Sequence, residues 1–358
     1  MTALKAFISL GLMAYLFYRF LSDPLDREVL LTTLTTANYW YLLLALALFV
    51  VAIITNGVKW WILLRAQGIP VPLGPVTNYT FVGQFFNNFL PANVGGDVMR
   101  GFGLARYTER SAEAAVSVVV DRIIGLLAFM FTAVVAALIA VNIIPGSSGQ
   151  STGEAVLAKN LVQVEVIAIV GMVVIVAAFA VMLSHRLRQL VGRIFTIKFL
   201  QPLAPIYQRI SDSFGAYRHQ YGALLLAFGV GVSTVLLTGL VDIAIVAGLH
   251  GDIPPIYIFL FNPIIAVALI APISIGGLGT GSVLYVYFYG LVGVPATLAF
   301  ALSLIKQAVI YLGSLPGGVL WLRWRGSVKG DGTSESGAGR LAEEQGGAGV
   351  GEIKRKAL

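Results

Sequence analysis

The chain has 358 residues, 58% of them hydrophobic and 11% charged, with a mean hydropathy of +0.86 and a formal net charge of +7. A soluble domain carries about 25% charged residues, and one core of this size cannot hide so much apolar surface, so the bilayer must be the solvent for much of the chain. Cysteine is absent, which excludes disulfide frameworks, Cys-bound zinc, iron–sulfur clusters and a thiol nucleophile.

Residues 4–21 form a first span behind Lys5; Ser22-Asp23-Pro24 lacks a small-x-small cleavage pattern, so a retained helix is expected rather than a signal peptide. Residues 22–38, with Asp23, Asp26 and Glu28 against Arg27, read as external. Residues 39–63 form a second span with Tyr39, Trp40, Trp60 and Trp61 near its ends, as interfacial aromatics. Residues 75–99 contain Asn87-Asn88-Phe89-Leu90-Pro91-Ala92-Asn93-Val94-Gly95-Gly96-Asp97, a polar, Gly- and Pro-bearing break between apolar runs. Broken backbone at membrane depth survives only inside protein or beside a water-filled cavity. Arg65 precedes this segment and Arg100, Arg106 and Arg110 follow it, so it should enter and leave on the cytoplasmic face as a re-entrant hairpin with its apex near Asn87 to Pro91.

Residues 112–141 then cross outward, carrying Asp121-Arg122, to a Gly- and Ser-rich external loop at 142–159. Residues 160–184 return inward to a basic stretch with Arg186, Arg188, Arg193, Lys198, Arg209 and Arg218. In that stretch Leu187, Leu190, Ile194 and Phe195 fall at helical spacing, a surface suited to anionic lipid. Residues 221–249 cross outward with Asp242 late in the span, and 250–255 form an external turn. Residues 256–293 contain the second break, Ala271-Pro272-Ile273-Ser274-Ile275-Gly276-Gly277-Leu278-Gly279, and 295–322 cross inward with Lys306 midway. From residue 326 onward, Gly, Ser, Glu and Lys dominate and a disordered tail is expected.

The expected fold is thus all-α and polytopic: about six full spans plus two re-entrant or broken helical hairpins, in a membrane domain over 1–325 with a cytoplasmic tail over 326–358. Span order in 160–322 is that of 1–141 turned upside down. Such an inverted repeat would set the two hairpins tip to tip near the midplane. The basic residues place both termini in the cytoplasm, at the inner membrane. They adjoin apolar spans and form no separate basic domain, so nucleic acid is not an expected partner.

In the first break Gly95 and Gly96 permit a turn and close approach to a ligand. Asp97 is either an N-cap or part of a site. Exposed N–H groups with Arg100 could hold an anionic headgroup, and Asn87, Asn88 and Asn93 offer neutral hydrogen bonds to phosphate or polyol oxygens. Asp121 and Arg122 point about 100° apart and cannot face one partner; Arg122 either pairs with an acid such as Asp97 or takes a phosphate. Lys306 at mid-span needs a cavity or an acid, Asp242 being the candidate. Gly276 and Gly277 complete the candidate set. His185, His219 and His250 lack metal-ligand spacing, so neither a metal nor a catalytic residue is expected. No Gly-x-x-x-x-Gly-Lys loop is present, and no cofactor is expected.

Asn88-x-x-Pro91-x-x-x-Gly95-Gly96-Asp97-x-x-Arg100, then Asp121-Arg122, Pro272-x-x-x-Gly276-Gly277-Leu278-Gly279 and Leu315-Pro316-Gly317-Gly318 resemble the flippase-like membrane family that includes the transmembrane domain of lysylphosphatidylglycerol synthase. The resemblance runs over about residues 5–322 and implies movement of a lipid between leaflets, without the soluble synthase domain. Single-domain relatives are linked to several lipids, including polyprenyl-linked sugars and other glycolipids. The expected function is translocation of a lipid with an anionic or glycosylated headgroup. The expected partners are membrane lipids, with a second copy of the chain or a lipid-synthesising enzyme as candidates. The alternatives are a polyprenyl-phosphate-dependent glycosyltransferase using Asp23 and Asp26, and a scaffold without transport activity.

Overall fold

The computed structural model describes residues 2–90, 95–143, 169–177, 214–271, 274 and 276–323, with helical positions at 162 and 166. All regular structure among them is helical. The helices in chain order are α1 (Thr2–Ser22), α2 (Pro24–Thr35), α3 (Tyr39–Ala66), α4 (Leu73–Asn87), α5 (Gly95–Thr108), α6 (Ser111–Ile143), α7 (Tyr221–Gly248), α8 (Pro255–Ala268), α9 (Thr280–Gly290) and α10 (Ala296–Arg323). A further helical stretch covers 169–177.

Four of these, α3, α6, α7 and α10, are long and apolar enough to cross a membrane. Twenty-eight residues in α3, α7 and α10 reach about 42 Å at 1.5 Å per residue, beyond a hydrocarbon core of about 30 Å. Half or less of the most apolar stretch of each is buried in the protein, and residues such as Leu43 and Leu225 face outward. That exposure is what a lipid solvent permits. Among the described residues, four of the six expected spans are these, and shorter apolar helices cover Phe7–Ser22 and Pro255–Ala268. The expected span at 160–184 and the loop at 142–159 lie mostly outside the described residues. The basic stretch up to residue 213 and the tail lie wholly outside them.

Both breaks are present. α4, α5, α8 and α9 have 15, 14, 14 and 11 residues, about 16–22 Å each, so none crosses alone. α4 packs on α5 and α8 on α9. Residues 22–38, expected as an external loop, instead contain α2. Asp23 caps it, accepting from the Leu25 N–H at 2.9 Å, and Pro24 stands where a helix tolerates proline.

Among the helices α1 to α9, α3 and α7 pack along each other more extensively than any other pair. They run antiparallel: Asn38 N–H donates to the Gly248 carbonyl at 2.8 Å at one end, and Tyr217 donates to Gln67 Oε1 at 3.2 Å near the other. Small residues let backbones approach, as membrane bundles require. A Cβ on Gly57 would lie 3.3 Å from Thr77 Oγ1 of α4, and one on Gly231 would lie 3.2 Å from Ala128 Cβ of α6. Trp60, expected at the interface, is fully buried, with its indole N–H donating to Ser117 Oγ at 3.1 Å. Tyr39 and Trp40 are exposed, as expected.

Candidate functional site

The two breaks meet. The carbonyl oxygen of Asn88, at the end of α4, would lie 2.6 Å from a Cβ on Gly276, and Gly276 itself has a φ of +58°. Gly277 follows at +74°. Glycine is required at Gly276 both for backbone conformation and for clearance, and at Gly277 for conformation. In the first break the reason differs. Gly95 and Gly96 open α5 in ordinary helical backbone, and a Cβ on Gly96 would overlap the Gly83 carbonyl oxygen of α4. The turning role expected of Gly95 and Gly96 is thus found at Gly276 and Gly277 instead, while Gly96 serves clearance between packed helices.

Beside this junction lies a cavity of about 340 Å³ whose wall draws on each helix from α3 to α10. α3 brings Lys59, α5 brings Asp97 and Arg100, and α6 brings Asp121 and Arg122. Arg100 Nη2 donates to Asp121 Oδ2 at 2.7 Å, and its Nε lies 3.0 Å from Asp97 Oδ1. Lys59 Nζ lies 3.2 Å from Asp121 Oδ1 and donates to the Asp121 carbonyl at 3.3 Å. The Arg100 Nε and Lys59 carboxylate contacts are ion pairs by distance but sit off the hydrogen-bond line. Arg122 Nε donates to Asp97 Oδ2. The Arg100 guanidinium also stacks over Trp60, 4.9 Å from the ring centre. Two carboxylates therefore bridge three cations, so each buried charge has a counter-charge. The Arg122 side chain is 38% exposed, against 6% or less for Lys59, Arg100 and Asp121, so it presents the most open cation.

The other half builds a smaller cluster. Asp242 on α7 is fully buried, and Lys306 on α10 donates to its Oδ2 at 2.7 Å. Tyr285 of α9 donates to the same oxygen at 3.1 Å, and Lys306 also donates to Asn262 Oδ1 of α8 at 2.9 Å.

The structure thus brings Asn87, Asn88, Gly96, Asp97, Arg100, Arg122, Gly276, Gly277 and Lys306 to one cavity wall. Gly95 does not line it; a Cβ there would meet Leu90. Asn93 lies outside the described residues. Asn87 Oδ1 accepts from the Gly96 N–H at 3.0 Å, closing the start of α5, which is the capping task considered for Asp97. Asn88 is buried and donates to Ser314 Oγ at 2.7 Å. Arg122 pairs with Asp97 and Lys306 with Asp242, the two pairings considered from sequence. Asp23 and Asp26 line no part of the cavity; Asp26 instead pairs with Arg19 at 2.9 Å. Sequence reasoning missed Lys59, Gln84, Asn262 and Tyr285. Asn56 and Lys59, one helical turn apart on a single face of an apolar span, were the available signal for the first.

An all-helical membrane protein with two interrupted hairpins meeting beside an ion-paired cavity is the class that this fold and site define. The chain belongs to the lysylphosphatidylglycerol synthase TM region family, whose model matches residues 3–317. It is similar to a UPF0104 membrane protein of Pyrococcus horikoshii, 22% identical over 311 residues, covering 81% of this chain and 88% of that one. No solved structure matches it.

Proposed function

We propose that the chain translocates a lipid bearing an anionic or glycosylated headgroup between leaflets of the inner membrane, with both termini cytoplasmic. The headgroup passes through the cavity while the acyl chains stay in lipid, so no charge is dragged through hydrocarbon. The observation that carries this reading is the register of the cavity wall. Tyr39 and Tyr221, which open α3 and α7, stand 182 residues apart, as do Leu73 and Pro255, which open α4 and α8. Gly95 and Thr280, opening α5 and α9, stand 185 apart, as do Ser111 and Ala296, opening α6 and α10. The cavity is lined in the same steps: Asn56 with Thr238, Thr80 with Asn262, Gly96 with Gly281, Asp121 with Lys306.

Equivalent helices α3 and α7 run antiparallel, which supports an inverted repeat with re-entrant hairpins meeting tip to tip. A pseudo-two-fold axis in the membrane plane gives one site two routes related by rotation, the geometry of alternating access.

The test exploits the cysteine-free chain. Purified protein carrying Gln84→Cys is reconstituted into liposomes with a labelled anionic lipid. Flux above that of protein-free vesicles, abolished by a bulky thiol reagent that leaves the native protein unaffected, is the expected result. Flux that stays at the protein-free rate, or that ignores the cavity label, would overturn the reading.

A further inference from the structure

We infer that the cavity takes a phosphodiester lipid carrying one negative charge and an uncharged, hydroxyl-rich headgroup, held by the first half, and that it disfavours an aminoacylated headgroup. The inference rests on the translocation reading for its biological use, but binding alone can test it.

Charge is the first observation. Among the described residues at the cavity, Lys59, Arg100 and Arg122 face Asp97 and Asp121 in the first half, leaving one cation in excess. In the second half Lys306 faces Asp242 and the balance is even. A single phosphodiester charge closes this account. An aminoacyl ammonium would bring another cation into a site already positive, and a zwitterion would leave the excess uncompensated. Unbalanced charge is costly away from water. Arg122 is the most open of the three cations and offers a planar fork suited to phosphate oxygens.

The neutral polar groups are the second observation. Asn56 and Gln84 line the same half of the wall, and their side chains make no hydrogen bond among the described residues. Side-chain amides both donate and accept, which matches hydroxyl groups rather than further charge.

The third observation is what stands at the equivalent places across the cavity. One step along the register, Lys59 becomes Val241, Gln84 becomes Ala266, Asn87 becomes Leu269 and Arg100 becomes Tyr285. At the first three of these steps polar side chains of the first half give way to apolar ones, while the second half keeps Thr238, Asn262, Ser282, Ser303, Lys306 and Gln307 elsewhere on its wall. An amphiphile lies across it with its headgroup on α3 to α6 and its first methylenes against the apolar strip of Val241, Ala266 and Leu269.

The experiment measures thermal stabilisation of the detergent-purified full chain by dihexanoyl lipids of four kinds: phosphatidylglycerol, its lysyl ester, phosphatidylcholine and phosphatidylmethanol. Phosphatidylglycerol should bind at least about tenfold more tightly than the lysyl ester and phosphatidylcholine, the scale of one lost charge-assisted contact. Phosphatidylmethanol, with the charge but no hydroxyls, should fall between, and Gln84→Ala should lower affinity for phosphatidylglycerol but not for phosphatidylmethanol. Arg122→Gln should erase the preference for the anion. Equal or tighter binding of the lysyl ester, or phosphatidylmethanol matching phosphatidylglycerol, would overturn the inference. The expected ranking without flux in liposomes would overturn translocation and leave the headgroup assignment standing.

Discussion

Asp121 and Lys306 occupy the same place in their helices, ten residues beyond Ser111 and ten beyond Ala296, with opposite charge. In the first half the acid sits on the later helix and its cations come from α3 and α5. In the second half the cation sits on the later helix and its acid comes from α7. The common element is a polar clamp between helices; its sign differs between halves. The clamps also differ in redundancy. Asp121 has two cations and Asp97 has two, so removing one leaves each acid a partner. Among the described residues, Asp242 has one cation and otherwise only the Tyr285 hydroxyl.

That contrast sets the order of expected effects. Lys306→Met strands a fully buried carboxylate and should lower stability by about 3–5 kcal/mol, the cost of breaking a buried pair from one side. Thermal unfolding and size-exclusion chromatography in detergent would read it, and Asp242→Asn in the same chain should recover most of the loss. Lys59→Met should cost clearly less, because Arg100 still holds Asp121; the reverse order would end the distinction between clamps.

Next come the two breaks. Gly96→Ala sets a methyl against the Gly83 backbone, which has no rotamer to yield. Gly277→Ala meets only Leu269 side-chain atoms at 3.5 Å and a φ of +74°, a strain of about 1–2 kcal/mol. Gly96→Ala should therefore lower the unfolding temperature more than Gly277→Ala. Gly290→Val, with open space around it, should change stability by no more than about 1 kcal/mol. Equal effects at Gly96 and Gly290 would show that α4 and α5 do not pack as described.

The smallest change belongs to Arg122→Gln. Its side chain is over one-third exposed and Asp97 retains Arg100, so the loss of stability should stay below about 1 kcal/mol. A loss as large as that of Lys306→Met would make Arg122 a structural member of the clamp.

Much of this was legible in the sequence, because lipid imposes simple rules on it. Apolar length marked α3, α6, α7 and α10. Gly, Pro and Asn inside apolar runs marked both breaks, and the expense of intramembrane charge pointed to Asp97 with Arg122 and to Asp242 with Lys306. Lys59 was hidden by its neighbours: two tryptophans after it imitate a membrane interface, yet Trp60 packs inward under Arg100. Asn262 and Tyr285 were hidden because an apolar run does not reveal which face meets a cavity. The helix at Pro24–Thr35 was hidden by charges that suit an exposed helix as well as a loop. The repeat proposed above was visible only as span order, since at its steps Lys59, Gln84 and Asn87 stand against Val241, Ala266 and Leu269, and identity no longer reports common position.

Asn88 has one more consequence. Its carbonyl touches the second break at Gly276, and its amide is tied to Ser314 on α10. One residue thus joins both hairpin tips to a span, which makes it a fulcrum. An arm the length of the 14-residue α8, about 21 Å, that tilts by roughly 10° about this point swings its far end by nearly 4 Å while the tip hardly moves. In the translocation proposed above, leverage of that kind would let one end of the cavity widen while the junction stays closed.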